Sequence, residues 1–374
     1  MTVTYLDHAA STPVRAEAVA AMLPFLTERY GNPSGAHAMA RDARNALDDA
    51  RATLAEALGC RPGEIVFTSG GTEADNTAVF SLADRGAVAC STIEHHAVLD
   101  PVHRLGGRVV GVLPSGVVDI DALAAGLDDS VALVSIMLAN NEVGTAQPLA
   151  EIADVVRARA PRAVLHTDAV QAFPWLDVAA QAEPADLLSI SAHKFGGPKG
   201  VGVLVVRDGV AFNPRQVGGG QERERRSGTQ NVAGIVAMAE AARLTVDERK
   251  AVIDRVAPMR DRLADGLLSA VPGTVESGDR TRKVAGNCHV CFEGIESEAL
   301  LFLLEQHDIM ASAAASCASG AQDPSHVLAA LGVSRELAQG SLRLSLGTTT
   351  TDDDIDLALA VIPPAVARLR ERGS

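Results

Sequence analysis

The chain has 374 residues, 47% of them hydrophobic, and a formal net charge of −14. That length is too great for one small core and suits a large domain beside a smaller one. The charge argues against general affinity for nucleic acid or an anionic membrane, with Arg223, Arg225 and Arg226 forming only a local basic cluster. No direct nucleic-acid site is therefore expected. No apolar run reaches membrane-spanning length, and MTVTYLDHAAST lacks the basic, apolar, small-residue order of a signal peptide, so a cytoplasmic location without membrane contact is expected. Five cysteines, an odd number in a long chain, are expected to be reduced thiols.

In chain order, Tyr5 to Pro13 reads as an extended entry and Val14 to Tyr30 as a helix. The turn cluster GNPSGAH, Gly31 to His37, leads into an Ala/Arg-rich helix ending near Leu58. A β-branched strand, Ile65 to Thr68, then meets the turn Ser69, Gly70, Gly71, and Thr72 and Glu73 open a helix. Strand, glycine turn and helix N-terminus form an anion site, to which Thr72 adds a hydroxyl; such turns also serve plain βα connections. Ala87 to Thr92 is a further strand, followed by IEHHAVLD, which puts His95 and His96 at a strand-to-helix junction. Without a further histidine at helical spacing they do not resemble a zinc site, and one of them could face a planar cofactor ring.

Val131 to Leu138 is an apolar run bounded by ANNEVGTAQP, and Val164 to His166 leads into TDAVQ, with Asp168 and Gln171. Asp186 to Val206, DLLSISAHKFGGPKGVGVLVV, reads as strand, Gly/Pro turn, strand, with Ser191, His193 and Lys194 at the first strand's end. The alternation of strands and helices from 60 to 206 predicts a βα domain with a mostly parallel sheet. Ligands of such sheets bind at the carboxyl ends of strands, where Thr72, His95, Asn141, Asp168, Gln171 and Lys194 all fall. The chain has four lysines. One held at a strand end beside a histidine is a candidate Schiff-base lysine, or else a charge snorkelling to solvent. An aspartate on one strand end and a lysine on a later one is the pairing a pyridoxal phosphate site requires: the carboxylate keeps the ring nitrogen protonated and the lysine carries the aldehyde as an imine. The alternative for Asp168 is a helix cap.

A Gly- and Arg-rich loop, Gln216 to Asn231, precedes a helix-forming stretch to about Ala270, and the composition shift between Val256 and Gly273 marks the passage to a second domain. There, GNCHVCFEG predicts a strand with Cys288, Val290 and Phe292 on one side and His289 and Cys291 on the other, rather than a metal site. Cys317 sits in MASAAASCASGAQDPSH, a small-residue run that reads as an exposed loop, where a thiol can meet substrate and move. Arg343, polar among leucines in SLRLSLG, suits either a carboxylate clamp or a structural ion pair.

Over nearly its whole length, from YLDHAAST to TTTTDDDID, the chain resembles the cysteine desulfurases of the NifS/IscS type in the class-V aminotransferase family. The resemblance rests on GNPSGAH, FTSGGTEADN, EHHAVLD, NNEVG, HTDAVQ, SAHKFGGPKG, GGGQERERRSGT and SCASGAQDPSHVLAALG. It implies the type I pyridoxal-phosphate-dependent transferase fold: a large α/β cofactor domain, 14–255, and a small α+β domain from both chain ends, 1–13 and 256–374. By resemblance, Lys194 is the Schiff-base lysine and Cys317 receives sulfur from L-cysteine as a persulfide. Gly71, Thr72, Ser191 and His193 hold the phosphate, and His95 stacks on the ring. Asp168 and Gln171 contact its nitrogen and phenolic oxygen. Asn141 reaches cofactor and substrate, Arg343 binds the substrate carboxylate, and Thr229 reaches the phosphate of the other subunit, which implies a homodimer.

The resemblance also implies the reaction. L-Cysteine displaces Lys194, which removes the Cα proton; the Cys317 thiolate attacks the substrate sulfur, L-alanine leaves, and the persulfide passes to a protein acceptor. SLGTTTT lacks an arginine that often follows SLG, and the sequence ends at LRERGS where several members continue into a scaffold-docking tail. The acceptor is therefore open among iron–sulfur assembly, tRNA thiolation and DNA phosphorothioation. A selenocysteine lyase or another type I pyridoxal-phosphate enzyme, and a non-catalytic sulfur-complex subunit, are the rival readings.

Overall fold

Strand formation follows the continuous apolar runs expected of a sheet covered on both faces. The computed structural model describes residues 3–313 and 325–373. Its strands are β1 (Thr4–Tyr5), β2 (Ile65–Thr68), β3 (Ala87–Ser91), β4 (Arg108–Val110), β5 (Val131–Ser135), β6 (Val164–Asp168), β7 (Leu187–Ser191), β8 (Gly202–Val206), β9 (Thr274–Glu276), β10 (Asn287–Phe292), β11 (Ile309–Met310) and β12 (Ser341–Ser345). Seven of them build the central sheet in the order β2-β8-β7-β6-β5-β3-β4.

The run β4, β3, β5, β6, β7 is parallel throughout. β8 is antiparallel to both its neighbours. The reason is the connection: residues 192–201 form a turn, with no crossover helix, and a turn can only bring the chain back antiparallel. The carboxyl ends of β3, β5, β6 and β7 consequently share one edge of the sheet.

A smaller antiparallel sheet, β12-β10-β9, and the parallel pair β1-β11 unite the two ends of the chain. Thr4 pairs with Ile309 and Asp7 bridges to Ser345, so the N-terminal residues are stitched to β11 and β12. Cys288 and Cys291 lie three apart in β10, in separate hydrophobic clusters on its two sides. The helix Val232–Ala270 runs 39 residues through positions 255 and 256, capped at its start by the Asn231 side chain, which accepts from the Gly234 N–H. Its first part packs on the helices Ala16–Thr27 and Ala38–Ala57, and it also meets β10 and the helix Asp352–Gly373. Among the described residues no helix is long and apolar enough to cross a membrane.

Candidate active site

Four strand ends and the N-terminal segment enclose a cavity of about 400 Å³. Gly71, Thr72, His95, Asn141, Asp168, Gln171, Ser191, His193, Lys194 and Arg343 all line it. Thr229 is exposed and lies elsewhere, and Cys317 falls outside the described residues. The chain on either side of Cys317 reaches the cavity, because Ser312 and His326 both line it.

Lys194 follows β7 in a single 3-10 turn, Ala192–Lys194. Its Nζ donates to the carbonyls of Ala9 at 2.5 Å and Ala10 at 3.0 Å. Burial, and then the charge of Arg343, push the amine down to about 8, with Asp168 and Asp7 opposing. The other lysines have different fates. Lys250 pairs with Asp254 on the surface, Lys283 is bound to Glu276 at 2.8 Å, and Lys199 is exposed in the turn. Among the described residues, Lys194 is thus the lysine that faces the cavity.

Asp168 ends β6 and is 5% exposed; one oxygen accepts from the Val170 N–H at 2.8 Å. Burial raises its carboxyl to about 6, against the pull of that hydrogen bond and of Lys194. The helix-cap alternative does not hold, because the next helix, Val178–Gln181, is capped by Asp177; Asp168 instead braces the turn two residues on and faces the cavity. His95 caps the helix His96–Arg104, its Nδ1 accepting from the Ala97 N–H at 3.1 Å. That bond fixes Nδ1 as the unprotonated nitrogen, and burial together with Lys194 holds the ring neutral, near 4. Burial also keeps His193 neutral, at about 4.

At the opposite end the helix Gly71–Phe80 points its N-terminus into the cavity. A Cβ at Gly71 would stand 2.9 Å from Val170 Cγ2, so the turn's close approach requires glycine. Thr72, Ser191 and His193 add donors beside the free N–H groups of that first turn, the arrangement that binds phosphate. A buried Gln171 Oε1 has no partner in the protein. An amine, a buried carboxylate, an anion cradle and an unpaired amide oxygen fit pyridoxal phosphate in chemistry and in volume.

The aminotransferase class-V family profile matches residues 4–358. A cysteine desulfurase IscS of Methanosarcina thermophila is 45% identical over 98% of this chain and 92% of that protein. A solved NifS-like protein superposes with a TM-score of 0.92 at 36% identity, covering 98% of this chain and all of that one. DndA of Streptomyces lividans superposes at 0.77 and 35% identity over 91% of this chain and 99% of its own. The chain belongs to the class-V aminotransferase family, among its cysteine desulfurases. It is a pyridoxal-phosphate-dependent enzyme with the type I fold.

Several acids in and around this desulfurase cavity were not singled out from sequence: Asp75 and Glu142, which line it, Asp7, which pairs with Arg343, and Glu94, buried beside Ser91 and Met137. Asp75 is 1% exposed, and burial and then Asp168 push its carboxyl well up. Burial raises Glu94 to about 8 although Ser91 Oγ donates to it at 2.6 Å and the Met137 N–H at 2.9 Å. Glu142, raised to about 7 by burial, accepts from Ser325. Each stands inside a motif already noted, next to a residue with more distinctive chemistry. Arg343 is ion-paired to Asp7 at 2.8 Å, the structural use expected of it, and its side chain also lines the cavity.

Proposed function

We propose that Cys317 takes the sulfur of L-cysteine as a persulfide while L-alanine is released, and that the cavity residues act in the roles their chemistry suits. Bound pyridoxal phosphate supplies an aldehyde and an electron-accepting ring that weaken the bonds at the substrate's Cα and Cβ. Lys194 would carry the aldehyde carbon and yield it to the substrate amine, and its Nζ, lowered to about 8 and so partly unprotonated near neutral pH, would take the Cα proton. Asp168 would hold the ring nitrogen protonated, neutral His95 would stack on the ring, and Gln171 and Asn141 would contact the cofactor. Gly71, Thr72, Ser191 and His193 hold the phosphate. Arg343 takes the substrate carboxylate.

The Cys317 thiolate then attacks the substrate sulfur. The Cβ–S bond breaks, the Cβ carbon takes a proton, and the products are L-alanine and Cys317–S–SH. The observation that carries this assignment is the state of the other thiols. Cys60 and Cys288 are pushed up to about 12 by burial, and Cys90 and Cys291 are also raised by burial. None of these four thiols lines the cavity, and Cys90, Cys288 and Cys291 are buried while Cys60 is half-buried, which supports Cys317 as the thiol that meets the substrate sulfur.

Two further readings belong to the assembly. Thr72 borders not only the cavity but an outer cleft of about 510 Å³ lined by Arg215, Arg225 and Arg226, which supports entry of Thr229 from a second copy of this chain in a homodimer. Residues 14–255 and the two chain ends then act as cofactor and sulfur-transfer units in a cytoplasmic enzyme that serves a protein acceptor. Rapid mixing with L-cysteine tests the central step: Cys317→Ser retains cofactor and forms no alanine, whereas wild-type alanine release by that variant would refute it. Co-purification of a persulfide-labelled partner identifies the acceptor, and sedimentation gives the copy number.

A further inference from the structure

We propose that Asp7 is a positioning residue for substrate recognition, holding the Arg343 guanidinium in line for the carboxylate of an α-amino acid. The proposal rests on Arg343 being the carboxylate site. Arg343 lies in β12 with its side chain 6% exposed. Its Nη2 donates to Asp7 Oδ1 at 2.8 Å and its Nη1 to the Asn141 carbonyl at 3.0 Å. Nε is buried without a partner. A guanidinium offers five N–H groups in one plane, so pinning one donor from each side fixes that plane, while Nη1 and Nη2 each keep a second N–H on a side chain that lines the cavity.

Asp7 is itself held by backbone geometry. It bridges to Ser345, two residues from Arg343 on the same face of β12. The Ser345 N–H donates to the Leu6 carbonyl at 2.7 Å, and the Ala9 N–H to Ser345 Oγ at 2.9 Å. The Tyr5 hydroxyl shares its one proton between the carbonyls of Ser11 at 2.8 Å and Asp7 at 3.1 Å, which ties down the bend that follows. Ala9 and Ala10, in the same segment, hold Lys194 through their carbonyls. Residues 7–10 therefore set the spacing between the lysine that yields to the substrate's amino group and the arginine that takes its carboxylate. In an α-amino acid those two groups share one carbon, and the segment acts as a gauge for that separation.

The test uses the cofactor-loaded enzyme and two probes. 3-Mercaptopropionate has the thiol and carboxylate without the amine, and cysteamine has the thiol and amine without the carboxylate. For Asp7→Ala we expect the Kd of 3-mercaptopropionate by calorimetry and the KM of L-cysteine to rise by at least ~10-fold, with kcat within ~3-fold of wild type. Cysteamine binding, followed by cofactor absorbance, should be unchanged. Asp7→Asn keeps an acceptor oxygen in place and should stay within ~3-fold of wild type for both probes. Wild-type affinity for 3-mercaptopropionate in Asp7→Ala, an equal loss of cysteamine binding, or an Asp7→Asn as weak as Asp7→Ala would each overturn the proposal. Should Asp7→Ala not fold, Asp7→Glu, with its oxygens one methylene displaced, carries the same expected loss. Arg343→Ala separates the two claims. If it keeps 3-mercaptopropionate affinity, the arginine's assignment fails; if it loses affinity where Asp7→Ala does not, only the role of Asp7 fails.

Discussion

A lysine amine near 8 has roughly a quarter of its population neutral at pH 7.5, against about a thousandth for an ordinary lysine. Capture of pyridoxal phosphate by cofactor-free enzyme should therefore accelerate with pH through about 8 and level off above it, as read by stopped-flow absorbance; a rise continuing past pH 10 would mean the amine is not depressed. Lys194→Ala should leave nothing for borohydride to trap on the protein. For Asp168, a buried carboxyl whose ionisation already costs stability, Asp168→Ala should cut alanine formation by more than ~100-fold with little fall in thermal stability, because only the bound ring needs the charge. Equal losses of both would favour a purely structural role. Lys194 and Asp168 were legible in the sequence because few residue types perform their chemistry. Asp75, Glu94 and Glu142 were not, because an acid in a motif looks solvated until packing removes its water, and Asp7 was not, because its partner Arg343 lies 336 residues away.

At the scale of elements, the turn between β3 and the helix His96–Arg104 carries Glu94, fully buried between Ser91 and Met137. Its folded value, about 8, lies above the value of 4.5 usual for glutamate, so the folded state binds the extra proton between those limits. The stability linked to that proton is present below about 4.5 and lost as pH rises through about 8. Glu94→Gln, always neutral, should match wild type in urea unfolding at pH 5 and exceed it by more than about 1 kcal/mol at pH 9. Identical curves at both pH values would contradict the buried, proton-holding glutamate. The strands themselves were readable as apolar runs. The reversal of β8 was readable only from its ten-residue connection, whereas the helix Val232–Ala270 was readable to its end despite Pro258.

Across the whole molecule, the Gly/Arg loop that carries Thr229 is anchored by one buried ion pair. Arg51 Nη2 meets Glu222 Oε1 at 2.9 Å, with side chains 6% and 1% exposed. Glu222 also accepts from the Phe67 N–H at 3.1 Å and from Gln230 at 3.2 Å. Removing one partner strands a buried charge, so Arg51→Ala should lower unfolding free energy by about 3–5 kcal/mol. No change in the denaturation midpoint would contradict this. Such a long-range tie joins residues 171 apart in sequence and left no local signal. The family motifs, by contrast, were spread over the entire chain and carried the fold with them. Persulfide mapping tests the role of Cys317 most directly: cofactor-loaded enzyme receives one equivalent of L-cysteine, is alkylated and digested, and is sequenced by mass spectrometry. The account predicts the extra sulfur on Cys317, with one L-alanine formed per persulfide; the same label on Cys60, Cys90, Cys288 or Cys291 would contradict it.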